Sequence, residues 1–161
     1  MLFRSDAGTF AAPVYRHFGF DWPQRLMAPL SGAMGYGVPA AIATALREPQ
    51  HPVVCMVGDG GFMMTGNEMI LAVKRQLPIV FILANNGSYG SIRIHQDRAY
   101  PGRHPGTDLH NPDFAALARG FGMTAQTVDN EGQIESVLRR ALSAQAPTFI
   151  EVKTSLQVTL P

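Results

Sequence analysis

Short runs of apolar residues without polar alternation set the first expectation for the fold. The three clearest runs cover residues 53–57, 79–84 and 148–152. Runs of this length that are rich in β-branched residues predict strands covered on both faces, as in parallel sheets. Weaker strands are predicted at 2–5, 25–28 and 124–128.

Between these runs, apolar residues recur at helical spacing. Thr65 and Glu68 have the spacing of a capping box before an apolar face at 69–77. Asn111 precedes a proline and predicts a helix start, and Asn130 predicts another. Further helical patterns cover 39–46 and 11–18. Strands that alternate with helices predict an α/β fold, a three-layer α/β/α arrangement around a mostly parallel sheet of about six strands.

Composition narrows the class of protein. The 161 residues carry 13 Lys+Arg against 12 Asp+Glu, a formal charge of +1, which excludes electrostatic binding of nucleic acid or of a membrane surface. A single cysteine, Cys55, and the absence of an apolar leader predict a cytoplasmic protein. We expect one domain over residues 1–161. Because only 16% of the residues are charged, we expect a partner to cover part of its surface, including the apolar run 62–64.

Polar residues follow two of the predicted strands at the point where each ends. Gly58-Asp59-Gly60-Gly61 follows one strand, and Asn85-Asn86-Gly87-Ser88 follows the next. Each segment alone is typical of a plain turn or loop. If the strands are neighbours, Asp59 and Asn86 converge at one sheet edge, where carboxylate and amide oxygens suit Mg²⁺ and glycine amides suit phosphate. The pair therefore predicts a metal-bridged diphosphate site.

Two other segments are candidates for function. Residues 31–39 follow a short predicted strand and open a helix, with glycines at 32, 35 and 37. Their spacing differs from the G-x-G-x-x-G of dinucleotide-binding turns, which disfavours a nicotinamide dehydrogenase. Residues 86–109 form a long irregular stretch, which is typical of a functional loop.

The segment Gly58-Asp59-Gly60 followed by Asn85-Asn86 resembles the GDG-x(n)-NN motif of thiamine diphosphate enzymes. Residues 31–39 resemble the preceding loop in the acetohydroxyacid synthase, benzoylformate decarboxylase and pyruvate decarboxylase family. The resemblance covers the whole chain but only the carboxy-terminal, diphosphate-binding domain of that family.

The resemblance implies a role for particular residues. Asp59 and Asn86 would bind Mg²⁺ through their side chains and Ser88 through its main-chain carbonyl. Met34 would support the bent shape of the cofactor, and Ile92 would form part of the substrate pocket wall. The remaining positions implied to contact thiamine diphosphate are Gly8, Thr9, Gly32, Gly58, Gly60, Gly61, Tyr89 and Gly90.

The family's reaction is decarboxylation of a 2-oxo acid, with or without ligation to a second carbonyl, so the chain would belong to a lyase or transferase. The glutamate that activates the cofactor comes from a separate pyrimidine-binding domain, and none of the chain's five glutamates has a suitable position in the sequence. We therefore expect the chain to be inactive alone and to act in a homo- or hetero-oligomer. It would be an excised domain, most like that of acetolactate synthase, or the β subunit of a split sulfopyruvate- or phosphonopyruvate-type decarboxylase. A non-catalytic assembly subunit is a further alternative. Use of FAD by the full enzyme cannot be read from this domain.

Overall fold

A computed structural model describes residues 1–156 and contains a six-stranded sheet in which every neighbouring pair of strands is parallel. Residues 157–161 of the predicted domain lie outside the described part. The strand order is β2-β1-β3-β4-β6-β5. The strands are β1 (Leu2–Ser5), β2 (Arg25–Met27), β3 (Val53–Gly58), β4 (Ile79–Asn85), β5 (Thr124–Val128) and β6 (Thr148–Lys153). All six predicted strands are therefore confirmed.

Helices connect the strands, with short 3-10 turns at Thr9–Ala11 and Gly66–Glu68. The α-helices are α1 (Ala12–His17), α2 (Gly37–Arg47), α3 (Asp59–Thr65), α4 (Met69–Arg75), α5 (Gly90–Ala99), α6 (Phe114–Gly120) and α7 (Glu131–Ser143). Within residues 1–156, none of these helices has the length and apolarity that a membrane span requires.

Two apolar cores, one on each face of the sheet, explain why the strand sequences do not alternate. Val53, Cys55 and Val57 of β3 join a core with α2, α3, α4 and α6. Val54 and Met56 of the same strand join a second core with α7 on the opposite face. Since successive side chains of a strand point to opposite faces, a strand covered on both sides is apolar throughout. The three-layer α/β/α fold is confirmed.

The strand register brings the glycine-rich segments together. Gly58 at the end of β3 is paired with Ala84 near the end of β4. Asp59 and Asn85 therefore leave the sheet side by side, and Asn86 follows immediately. The two strands are neighbours, as the sequence prediction requires.

Some helix starts differ from the prediction. Because α3 begins at Asp59, Thr65 ends a helix and caps none; its hydroxyl donates to the carbonyl oxygen of Gly35 at 2.9 Å. Asn111 is not a cap either, because Asp113 caps α6 by accepting from the Ala116 N–H at 2.8 Å. The Asn130 cap is confirmed, since its side chain accepts from the Gly132 N–H at 2.9 Å.

Two other expectations need correction. The stretch 86–109 contains the helix α5, whose apolar residues are too few to show helical periodicity in the sequence. Phe62 needs no second subunit to cover it, because it is buried in the chain's own core, with ring centroids 5.4 Å from Phe114 and 5.5 Å from Phe149. Met63 and Met64 are half exposed.

Candidate functional site

A cavity of about 470 Å³ opens at the carboxyl ends of β1, β3 and β4. This is the edge at which parallel α/β sheets generally bind ligands. The residues of the predicted site that line it are Gly8, Thr9, Gly32, Met34, Gly58, Asp59, Gly60, Gly61, Asn86, Ser88, Tyr89, Gly90 and Ile92. The cavity is also lined by Ala7, Phe10, Ala84 and Ser91. The structure thus brings the sequence candidates around one space, while their binding roles stay predictions.

Asp59 is the first residue of α3 and is 3% exposed. Its Oδ1 accepts from the Gly60 N–H at 3.0 Å. Its Oδ2 accepts from the Gly87 N–H and from the Asn111 side chain, both at 2.8 Å. All three donors are neutral, and no ion pair to Asp59 is formed by the residues that the structure describes. A buried carboxylate that lacks a positive partner favours the binding of a cation beside it.

The turn after β4 carries the other predicted oxygen ligands. The Asn86 Oδ1 accepts from the Ser88 N–H at 3.0 Å, and Gly87 has the positive φ of 68° that closes this turn. The Ser88 hydroxyl donates to the Thr107 carbonyl at 2.8 Å, which anchors the turn to the loop after α5. The Ser88 carbonyl accepts from the Gly90 N–H at 2.8 Å and keeps one lone pair for another partner.

The loop that carries Met34 is held by a buried acid that the sequence reasoning did not select. Asp6 is 1% exposed, and its carboxylate accepts the N–H groups of Gly35, Tyr36 and Gly37 at 3.0, 2.8 and 3.1 Å. Asp6 directly follows β1, so the same strand-end rule that selects Asp59 could have found it.

Close packing fixes the floor of the cavity. The Met34 methyl group lies 3.3 Å from the position that a Cβ at residue 60 would occupy, and such a Cβ would overlap the Tyr89 ring. A Cβ at residue 61 would overlap the Asp6 carboxylate. Gly60 and Gly61 are therefore required by the close approach of their neighbours.

The turn after β1 forms another wall of the cavity. The Thr9 N–H donates to the Ser91 Oγ at 3.1 Å, which joins this turn to the start of α5. The Phe10 ring lies 3.2 Å from the position of a Cβ at residue 58. Phe10 and Ile92 thus place apolar groups at the cavity.

A hydrogen-bonded network behind the cavity was also missed in the sequence. The Asn85 Nδ2 donates to the Glu151 Oε1 at 2.6 Å, and the Asn85 Oδ1 accepts from Asn111 at 3.0 Å. Glu151 is 1% exposed. Burial raises the pKa of its carboxyl, but hydrogen bonds from Lys153, Asn85 and Thr127 outweigh burial, so that the pKa lies below its ordinary value.

The histidines and the single cysteine of the chain do not line the cavity. His95 and His110 are exposed, and the His104 Nε2 lies 3.0 Å from the Arg93 guanidinium. Burial, with the nearby Asp6 charge, raises the pKa of the Cys55 thiol, as packing in the sheet would predict. All five glutamates are within residues 1–156, and none of them lines the cavity.

Together, the parallel sheet and a cavity lined by glycine turns and a buried acid define a protein of the phosphate-ligand-binding α/β class. Residues 6–152 match the family described as thiamine pyrophosphate enzyme, C-terminal TPP binding domain. The chain belongs to this family and is its carboxy-terminal, thiamine diphosphate-binding domain.

Individual relatives agree with this assignment. The chain is 36% identical over 141 residues to the acetolactate synthase large subunit of Haemophilus influenzae, covering 86% of this chain and 25% of that protein. It is 34% identical over 132 residues to the benzoylformate decarboxylase of Pseudomonas aeruginosa, covering 82% and 25%. Among solved structures, the thiamine diphosphate-dependent 4-hydroxybenzoylformate decarboxylase of Rhodococcus jostii RHA1 superposes with a TM-score of 0.89 at 29% identity, covering 96% of this chain and 29% of that one. The chain thus spans about a quarter of the length of these curated relatives.

Proposed function

We propose that the chain binds the diphosphate of thiamine diphosphate through Mg²⁺, as part of a 2-oxo-acid decarboxylase or carboligase most like acetolactate synthase. The cation would be held by the side chains of Asp59 and Asn86 and by the main-chain carbonyl of Ser88. The observation that carries the proposal is the buried Asp59 carboxylate, which faces the cavity and has only neutral partners in the described part of the chain.

The chemistry of these donors fits Mg²⁺. The three groups are hard oxygen ligands. The Asp59 Oδ1, the Asn86 Oδ1 and the Ser88 carbonyl oxygen each accept one hydrogen bond and keep a further lone pair. Residues 1–156 contain no cluster of three or more His, Cys, Asp or Glu side chains suited to a metal. A site with a single carboxylate leaves the remaining positions of Mg²⁺ to water and phosphate oxygens, as Mg²⁺ prefers.

Other groups around the cavity would orient the cofactor. The Gly61 amide would donate to the diphosphate. The amides of Gly60, Ser88, Tyr89 and Gly90 would do so by exchanging their present hydrogen bonds to Asp59, Asn86, Thr107 and Ser88 for the ligand, and Gly8 and Thr9 also line the cavity. The Gly32 carbonyl and the Met34 amide would contact the pyrimidine, with the Met34 side chain supporting the bent cofactor. When bound, thiamine diphosphate supplies the carbanion chemistry that 2-oxo-acid decarboxylation requires.

Two apolar side chains at the cavity would contact the substrate. Phe10 and Ile92 line this space and have no group that exchanges a proton. This supports a reaction of the carboligase or benzoylformate decarboxylase type over the release of acetaldehyde by a pyruvate decarboxylase. Use of FAD and the choice of 2-oxo acid would depend largely on the other domains of the enzyme.

We also propose that the chain, as one domain over residues 1–161, is inactive without a pyrimidine-binding domain. The supporting observation is that no glutamate lines the cavity. That domain would lie in the same polypeptide or in another subunit of an oligomer, as in a split decarboxylase. We also propose a cytoplasmic setting, which the lone, buried Cys55 supports.

Replacement of Asp59 tests the metal assignment. We expect Asp59→Ala to abolish the Mg²⁺-dependent part of thiamine diphosphate binding, measured by isothermal titration calorimetry with and without Mg²⁺. The free energy of unfolding without Mg²⁺ should change by only about 1 kcal/mol. Removal of an uncompensated buried charge offsets part of the loss, and the Gly87 N–H and the Asn111 Nδ2 keep the Asn85 Oδ1 as an acceptor.

Asp129→Ala is the matched control. Asp129 also directly follows a parallel strand, β5, but it is exposed and does not line the cavity. Asp129→Ala should bind thiamine diphosphate with the same Mg²⁺ dependence as the unmodified chain. NAD should bind neither to the unmodified chain nor to either variant. Binding by Asp59→Ala with undiminished Mg²⁺ dependence would contradict the assignment.

A further inference from the structure

One side-chain amide behind the cavity joins the two segments that carry the proposed metal ligands. The Asn111 Nδ2 donates to the Asp59 Oδ2 at 2.8 Å and to the Asn85 Oδ1 at 3.0 Å. A primary amide nitrogen has two hydrogens, so it can satisfy both acceptors at once. We infer that Asn111 is a positioning residue, which fixes the Asp59 carboxylate relative to the Asn86 turn. The inference rests on the proposed function.

The direction of each amide in this network is determined by its neighbours. Glu151 is buried and can only accept while ionised, so that Asn85 must turn its Nδ2 toward it, at 2.6 Å. The Asn85 oxygen then faces Asn111, which must present its nitrogen. The same nitrogen meets the Asp59 carboxylate, also an acceptor. The alternation of donors and acceptors from Glu151 to Asp59 is therefore complete.

Glu151 is itself held in place. Its Oε2 accepts from the Thr127 hydroxyl at 2.8 Å, and its Oε1 accepts from the Lys153 ammonium at 2.5 Å. These partners lie on β5 and β6, at the far side of the sheet from β3. The orientation of the Asp59 carboxylate is thus linked, through Asn111, Asn85 and Glu151, to β6 and β5 as well as to the turn.

The neutral character of Asn111 also matters for the cation. A lysine or arginine in its place would satisfy Asp59 but would compete with a metal for the carboxylate charge. An amide donor orients the carboxylate and leaves its charge for the cation. The Gly87 N–H bridges the same two acceptors, at 2.8 Å to Asp59 and 3.1 Å to Asn85. The Gly87 donor belongs to the main chain, whereas the Asn111 donor belongs to a side chain. Substitution can therefore remove the Asn111 donor.

The test compares Asn111→Ala with Asn130→Ala in thiamine diphosphate binding at graded Mg²⁺. Asn130 caps α7, is exposed and lies away from the cavity, so that its loss costs stability without touching the site. We expect Asn111→Ala to raise the Mg²⁺ concentration for half-maximal binding roughly 10- to 100-fold, the usual effect of removing a residue that orients a metal ligand. Asn130→Ala should leave that concentration unchanged.

A spectroscopic measurement separates positioning from a general loss of stability. With Mn²⁺ in place of Mg²⁺, the electron paramagnetic resonance spectrum of the cofactor-bound ion should change in Asn111→Ala and not in Asn130→Ala. If Asn111→Ala does not fold, Asn111→Ser keeps a donor with a shorter reach, and the same direction of change is expected.

The outcomes separate this inference from the proposed function. An Asn111 variant with unmodified Mg²⁺ dependence and an unmodified Mn²⁺ spectrum would overturn the positioning role alone, provided that Asp59→Ala still abolishes Mg²⁺-dependent binding. Absence of Mg²⁺-dependent binding in the unmodified chain would overturn both.

Discussion

Asp6 and Asp59 are two buried acids at the same edge of the sheet, each directly after a parallel strand. Neither forms an ion pair within the described residues. Asp6 accepts three N–H groups from consecutive residues at the start of α2, and it does not line the cavity. Asp59 takes its donors from three separate segments and lines the cavity.

The difference shows that the residue type and the strand end do not by themselves define a ligand site. The Asp6 charge is compensated within the protein, because helix N-terminal amides and the helix dipole stabilise an anion. The Asp59 carboxylate is oriented by neutral donors and also faces the cavity, where a cation could bind. The source and direction of the donors therefore distinguish the acid that stabilises a loop from the one that we propose binds a metal.

The largest expected effect comes from Asp6→Ala. Three buried N–H groups would lose a charged acceptor, which should lower the free energy of unfolding by about 3 kcal/mol. Urea denaturation in EDTA and in Mg²⁺ measures this loss, which should be the same in both solutions. Asp59→Ala should show the opposite pattern, with a small change in stability and a large one in Mg²⁺ dependence. Equal behaviour of the two variants would remove the distinction between these acids.

Gly61→Ala should reproduce part of the loss of stability expected for Asp6→Ala while Asp6 itself is retained. The added methyl group would overlap the Asp6 carboxylate, so that either α3 or the acid must shift. Such overpacking should lower the free energy of unfolding by about 2 kcal/mol.

Gly120→Ala is the matched control for this substitution. Gly120 is the last residue of α6, and a Cβ there meets no atom within 4 Å. Its replacement should be neutral or stabilise the chain by about 0.5 kcal/mol. If Gly61→Ala is equally well tolerated in thermal denaturation, Asp6 is not tightly packed against α3.

The sequence predicts one part of this edge well and another part poorly. Strands β3 and β4 have continuous apolar runs, and Asp59 and Asn86 follow their ends, so fold and candidate ligands can be inferred from local pattern. Asn111, Asp6 and Glu151 act through partners that are distant in sequence, and those pairings require the register of the sheet. Asn111 was also misassigned because an asparagine before a proline favours a helix cap.

The smallest expected effect concerns Glu151, which orients the network behind Asp59. Because hydrogen bonds hold its pKa below the ordinary value of 4.5, its ionised form stabilises the folded chain fully above that pH. This contribution is lost as the pH falls through the lowered pKa of the folded state. Glu151→Gln should therefore be less stable than the unmodified chain at neutral pH, and the difference should shrink as the pH falls from about 5 toward 3. Urea denaturation across this range measures the difference.

Glu135→Gln provides the control for this pH dependence. Glu135 is exposed on α7, where it pairs with Arg139 at 2.7 Å. Because exposed ion pairs contribute little to stability, this variant should follow the pH profile of the unmodified chain closely. A Glu151→Gln deficit that persists at the acid end of the range would mean that packing of the side chain, rather than its charge, stabilises the network.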